Sequence, residues 1–80
     1  MTLNDALTLT AGDIITRKAG AGFTHYKLTS VFPARPEMGY APGFVGHPVQ
    51  HDGTLARHIT LNIVLDGSEE CNRALAYWSK

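Results

Sequence analysis

Apolar and polar residues alternate with a period of two between Thr54 and Asp66. Most even positions there are polar, and the odd positions are apolar with one exception, Arg57: Leu55, Arg57, Ile59, Leu61, Ile63 and Leu65. Alternation of this kind is typical of a strand with one buried face, and β-branched residues add strand propensity. The pattern predicts a strand over 56–65 whose odd positions face the core.

A second alternation begins at Thr24 and places Tyr26, Leu28 and Phe32 on one face of a strand. A short β-prone run over 13–18 precedes it. The linker between the two runs, 19–22, contains two glycines, which adopt the positive φ angles of tight reversals without steric cost. The two runs therefore predict a β-hairpin over 13–32.

The C-terminal residues predict a helix over 68–79. Ser68 is a good N-cap, and Glu69 and Glu70 place negative charge at the positive end of the helix dipole. The apolar stripe of this helix follows at i, i+3, i+4 and i+7: Cys71, Ala74, Leu75 and Trp78. A helix this short is unstable alone in water, so we expect the stripe, and Trp78 above all, to pack on the sheet.

All four prolines and four of the eight glycines lie within 33–53. This density predicts a long loop and argues against a regular helix or a long central strand. A solvated linker seldom carries so many apolar side chains as Met38, Tyr40 and Phe44 provide. The loop therefore either folds onto the core or displays these residues to a partner. We predict a partner-binding surface formed by Arg35, Met38, Tyr40 and Phe44.

These elements predict one α+β domain over 1–80. Its fold is a small antiparallel sheet of three to five strands with the C-terminal helix packed on it. A partly open, SH3-like barrel is a variant of the same arrangement, suggested by the Gly12-Asp13-Ile14 strand start and the glycine-turned hairpin.

Composition and charge narrow the class of protein. Apolar residues make up 44% of the chain and charged residues 18%, a balance typical of globular domains and not of disordered chains. The apolar runs are too short to span a bilayer, so no membrane association is expected. One cysteine, Cys71, excludes an internal disulfide and predicts a reducing, cytoplasmic location.

Histidines and the cysteine suggest an enzyme as an alternative. His47, His51 and His58 could ligate a metal, but the glycines and prolines around them resist a shared helical face. The order of Gly12-Asp13-Ile14, His25 and Cys71 resembles permuted papain-like domains of the NlpC/P60 type, which need a considerably longer chain between His and Cys. We therefore predict no catalytic residue, no metal site and no cofactor.

A basic hairpin suggests a second alternative. Lys18, Lys27 and His25 lie in a stretch without acids and accompany the aromatic residues Phe23 and Tyr26. A basic face with aromatic side chains is typical of surfaces that bind single-stranded nucleic acid. Seven basic residues against seven acidic ones give no net charge, which weighs against nucleic acid as the partner.

A non-enzymatic protein-binding module fits the sequence best. An inhibitor or adaptor that acts by surface complementarity needs no catalytic constellation and can be this small. Phages and mobile elements encode proteins of this kind, including inhibitors of host defence such as anti-CRISPR proteins. A chain of 80 residues buries little surface by itself, so association is also expected, with a protein partner or as a homodimer.

Overall fold

Among the residues that the structure describes, antiparallel pairing joins five strands into one sheet, in the order β4-β3-β2-β1-β5. The sheet is curled into a partly open half-barrel. The computed structural model describes residues 1–18, 22 and 24–80. The strands are β1 Ile14–Arg17, β2 His25–Phe32, β3 Gly43–Pro48, β4 Leu61–Val64 and β5 Trp78–Ser79; the helices are α1 Leu3–Leu7 and α2 Glu69–Leu75, and Pro36–Met38 forms a 3₁₀ turn. The predicted α+β fold, with a small antiparallel sheet and a C-terminal helix, is confirmed.

The core lies on the inner face of the sheet, against the two helices. Its strand residues include Ile15, Tyr26, Leu28, Phe44 and Ile63, and the helices add Ala6, Cys71 and Leu75. Residues of opposite parity form the outer face.

The predicted β-hairpin is present, since β1 pairs with β2 in the register Ile15↔Tyr26. The tight turn was predicted at 19–22. Of these four residues the structure describes only Gly22, and 19–21 lie outside the described residues. Gly22 has a φ of 90°, a conformation that side-chain-bearing residues rarely adopt.

The strand predicted over 56–65 is much shorter than expected. Only Leu61–Val64 pair with β3, while 57–59 form a turn. The parity is correct within β4, because Ile63 is buried and Asn62 is exposed. Before the turn the predicted parity is wrong, because Ala56 is buried and Arg57 is exposed. The turn changes which positions of the chain face the core.

The C-terminal helix ends earlier than predicted. Ser68 caps α2 as expected, with its Oγ accepting a hydrogen bond from the Cys71 N–H at 3.1 Å. The helix stops at Leu75, and Trp78 lies instead on β5, paired with Arg17 of β1. The prediction that Trp78 extends the helical stripe is therefore wrong, although its side chain is buried in the core.

A central strand crosses the segment predicted to be a loop. β3 lies between β2 and β4 and is six residues long, so the prediction that 33–53 forms one long loop is wrong. The prolines avoid the doubly paired part of the strand: Pro42 precedes it, and Pro48 lies beyond the residues that pair with β4. Their carbonyl groups still accept hydrogen bonds, from Leu65 and Ala56 respectively. A missing N–H costs little at these positions.

We expect three exposed aspartates to make the stability of this fold sensitive to acid. Hydrogen bonds from Thr2 lower the pKa of Asp5, those from Thr54 lower the pKa of Asp52, and those from Ser68 lower the pKa of Asp66, each from an ordinary value of 3.8. A carboxyl whose pKa is lower in the folded state stabilises that state above the unfolded pKa. This contribution disappears as the pH falls through the folded pKa.

We expect the melting temperature to fall as the pH is lowered below about 4, and the triple variant D5N/D52N/D66N to show a flatter decline. Thermal unfolding followed by circular dichroism from about pH 6 to about pH 2 measures both slopes. If the melting temperature falls equally with pH in the wild type and the variant, these three carboxylates do not cause the acid sensitivity.

Neither helix comes close to the length needed to cross a bilayer: of the residues that the structure describes, no helix is long and apolar enough to do so.

Candidate functional site

The β2–β3 connection is a tight hairpin that displays three of the predicted partner-binding residues. Arg35 and Tyr40 pair through two backbone hydrogen bonds of 2.9 and 3.0 Å. The 3₁₀ turn between them closes through Gly39, whose φ of 74° suits glycine. Arg35, Met38 and Tyr40 are all exposed. The hairpin thus holds apolar side chains in solvent on a backbone that is already ordered.

An apolar groove of about 630 Å³ lies beside this hairpin on the outer face. We call it the outer groove and define it by Phe32, Tyr40, Gly43 and Val64. The exposed fractions of Phe32, Tyr40 and Val64 are 51%, 61% and 53%. Exposed apolar side chains that are contiguous mark interaction surfaces more often than scattered ones do.

Glycine at position 43 forms the floor of the outer groove. Phe32, Gly43 and Val64 are direct cross-strand neighbours on β2, β3 and β4. A Cβ atom at position 43 would lie 2.8 Å from the carbonyl oxygen of Ile63, which is too close for a side chain. The close packing of β3 on β4 therefore excludes a side chain here and leaves a gap between Phe32 and Val64.

A β-bulge places Phe32 in the outer groove. The register of β2 against β3 shifts between Leu28 and Ser30, so Leu28 faces inwards while Phe32 faces outwards. Simple alternation predicted both residues on one face, and for Phe32 this is wrong. Bulges change which face a side chain occupies. Val64 was visible in the sequence as an apolar residue on the polar face of its strand.

Phe44 does not belong to the candidate surface. It is 0% exposed and packs in the core on the inner face, opposite Val31 and Ile63. Its predicted contact with a partner is therefore wrong, because no partner can reach it in the folded chain. The sequence left open whether the segment 33–53 folds onto the core or is displayed to a partner. Part of it does each: Phe44 is buried in the core, whereas Met38 and Tyr40 are exposed.

Charges of opposite sign line the outer groove. Arg35 belongs to its hairpin side, and Asp66 follows β4 on the other side. Hydrogen bonds from Ser68 lower the pKa of Asp66, so this carboxylate is charged at neutral pH. An apolar groove with one cation and one carboxylate favours a neutral or mixed-charge protein surface over a polyanion.

The predicted basic residues are exposed, but Tyr26 does not accompany them. Lys18, Lys27 and His25 are exposed. Tyr26 points to the inner face instead, where its ring meets that of Trp78 at a centroid distance of 4.9 Å and an interplanar angle of 83°. Phe23 lies outside the described residues. The aromatic stacking expected of a single-stranded nucleic-acid platform is therefore missing at Tyr26.

The histidines and the cysteine occupy separate environments. His47 Nδ1 lies 2.8 Å from the Ile59 carbonyl oxygen, while His51 and His58 are exposed. No group of three or more His, Cys, Asp or Glu side chains is placed to hold a metal ion within residues 1–18, 22 and 24–80. Cys71 is buried in the core, whereas His25, on β2, is exposed, so the structure does not place this pair together.

Comparisons with protein-family models, with curated proteins and with solved structures found no match to this chain.

Proposed function

We propose that this protein is a non-enzymatic binding module that docks a partner protein on the outer groove. The observation that carries the proposal is the convergence of Phe32, Tyr40 and Val64, each about half exposed, around the floor at Gly43. Aromatic residues are frequent hot spots at interfaces, where they fill or line pockets on a partner. An apolar side chain of the partner would fill the gap above Gly43.

Preorganisation of the hairpin supports this function. The two backbone hydrogen bonds between Arg35 and Tyr40 order the loop before a partner arrives. Binding then loses little conformational entropy, which improves affinity for a given buried area. We propose that the module acts as an inhibitor or adaptor of the kind that phages and mobile elements encode, without catalytic chemistry.

Truncating Phe32 and Tyr40 together should weaken partner binding at least tenfold and leave the fold intact. Loss of two interface aromatics typically costs about 2 kcal/mol or more of binding free energy. Both side chains are half exposed, so the circular dichroism spectrum and the melting temperature should change little. The measurement is quantitative capture of partner by wild type and by F32S/Y40A from lysate of the native host.

Ile14 provides a matched control, because it is 47% exposed and does not line the outer groove. A photo-crosslinking residue, p-benzoylphenylalanine, placed at position 40 should give a covalent adduct with the partner, whereas the same residue at position 14 should not. Unchanged capture by F32S/Y40A, or crosslinking only from position 14, would rule out the outer groove as the binding surface.

A further inference from the structure

The free edge of β4 carries no charged residue, proline or bulge of the kind that often protects a strand edge. β4 is the end strand of the sheet and pairs with β3 alone. Its sequence, Leu-Asn-Ile-Val, contains no charge and no proline, and its register against β3 shows no bulge. Proteins commonly block exposed edges with lysine, proline or bulges. Within the described chain, no hydrogen bond from an element other than β3 reaches the backbone of Leu61–Val64.

A groove runs along this edge. Two adjoining cavities of about 500 and 200 Å³ share Asn62, Ile63 and Ala74, so they form one channel between β4 and the α2–β5 segment. We call it the edge groove. Tyr77 and Trp78 line its Leu61 end, and Cys71 of α2 lies at its Val64 end. A four-residue strand spans about 13 Å, so the channel follows the whole of β4.

An arginine without a carboxylate partner lies in the edge groove. Arg17 stacks over the rings of Trp78 and Tyr26, with its Cζ atom 5.3 and 5.8 Å from their centroids. The one ion pair of the described residues joins Arg73 to Glu69, so no carboxylate neutralises Arg17 there. At the opposite end of the groove lie Asp66 and Glu70. The groove therefore has a cationic end and an anionic end.

We propose that the edge groove binds an extended peptide segment of a partner protein, which adds to β4 as a sixth strand and places a carboxylate beside Arg17. The free backbone groups of β4 would supply main-chain hydrogen bonds, as in other cases of strand addition. Alternate side chains of the peptide would face Leu61 and Ile63. Arginine held on aromatic faces is well suited to bind a carboxylate through two parallel hydrogen bonds.

A second copy of this chain fits the edge groove less well. Its β4 contains no carboxylate for Arg17, and its own α2 stands beside its β4. The edge groove adjoins the outer groove at Asn62, Val64 and Asp66. Arg17 and Trp78 do not line the outer groove, however, and Phe32 and Tyr40 do not line the edge groove. The inference goes beyond the proposed function, and substitutions at Arg17 and at Tyr40 test the two surfaces separately.

Selection from a random library of peptides of roughly ten residues, displayed on phage, tests the edge groove with immobilised full-length protein. Enriched peptides should share one Asp or Glu at a fixed position and apolar residues at alternate positions. A synthetic consensus peptide should change the fluorescence of Trp78, the single tryptophan of the chain. Replacing its acidic residue by the corresponding amide should weaken binding at least tenfold, and so should N-methylation of alternate peptide amides.

Protein variants locate the binding site. Arg17→Gln should weaken binding of the consensus peptide at least tenfold, while Arg73→Gln, an exposed arginine outside the groove, should not. Tyr40→Ala should also have no effect, because Tyr40 belongs to the outer groove. The N-methylated peptide keeps the test decisive if Arg17→Gln fails to fold, since that comparison uses unmodified protein.

Four results would overturn the proposal. They are the absence of enriched peptides, equal binding of the acidic and amide peptides, undiminished binding of the N-methylated peptide, and loss of binding in Tyr40→Ala. A fifth result would also overturn it. If analytical ultracentrifugation shows that the wild type is a homodimer and that Asn62→Lys is a monomer, a second copy of the chain occupies the edge of β4 instead.

Discussion

Replacing Trp78 with alanine is expected to lower the free energy of unfolding by about 3–5 kcal/mol, as large-to-small changes in a core do. Trp78 is only 4% exposed, and its ring packs edge-on against Tyr26. It also holds β5 against β1 through its pairing with Arg17. Small domains have a total stability near the low end of roughly 5–15 kcal/mol, so W78A should be largely unfolded. Denaturant titration followed by far-UV circular dichroism measures the loss.

The adjacent Tyr77 is the control for this substitution. Tyr77→Ala removes a side chain of similar size that is mostly exposed, so the free energy of unfolding should change by no more than about 0.5 kcal/mol. Trp78→Phe should fall between the two, because it keeps an aromatic ring against Tyr26. A melting temperature for W78A within a few degrees of wild type would show that Trp78 does not anchor β5 and α2.

Replacing Phe44 with alanine is expected to cost a similar amount, about 3–5 kcal/mol of stability. Phe44 is fully buried on the central strand β3, between Val31 of β2 and Ile63 of β4. The cavity would open in the middle of the sheet, where neighbouring strands cannot easily collapse to fill it. Thermal unfolding followed by circular dichroism gives the comparison with wild type.

Met38→Ala is the matched control within the same Pro/Gly-rich segment. Met38 lies at the tip of the hairpin and is exposed, so its truncation should leave the melting temperature nearly unchanged. The pair of variants separates the part of 33–53 that builds the core from the part that is displayed. An F44A protein as stable as wild type would contradict the burial of Phe44 and return it to the candidate surface.

Of the four residues that define the outer groove, only Tyr40 was predicted from the sequence to contact a partner, and the predicted Arg35 lines the groove beside it. Arg35, Met38 and Tyr40 stand in a stretch whose prolines and glycines predict turns, and they are exposed. Phe32 could not be assigned to the same surface, because the bulge at Leu28/Ser30 depends on the register with β3. Phe44 was wrongly assigned to the surface because the nearby prolines predicted a loop. Pro42 and Pro48 flank the residues of β3 that pair with β4, and the sequence alone does not show where that pairing begins and ends. That these residues bind a partner remains a prediction.

Local sequence by itself determined the β1–β2 hairpin, the start of α2 at its Ser68 cap and the inward parity of Ile63 and Leu65. Each depends on interactions between residues close in the chain, or on a periodicity that burial imposes directly. Tertiary structure decided the rest. Position 78 continues the helical stripe of Cys71 and Leu75, yet Trp78 forms an edge strand because β1, some sixty residues earlier, offers a partner in Arg17. Pairing between residues so far apart in the chain depends on the free energy of the whole sheet. The local pattern of apolar residues does not reveal that energy.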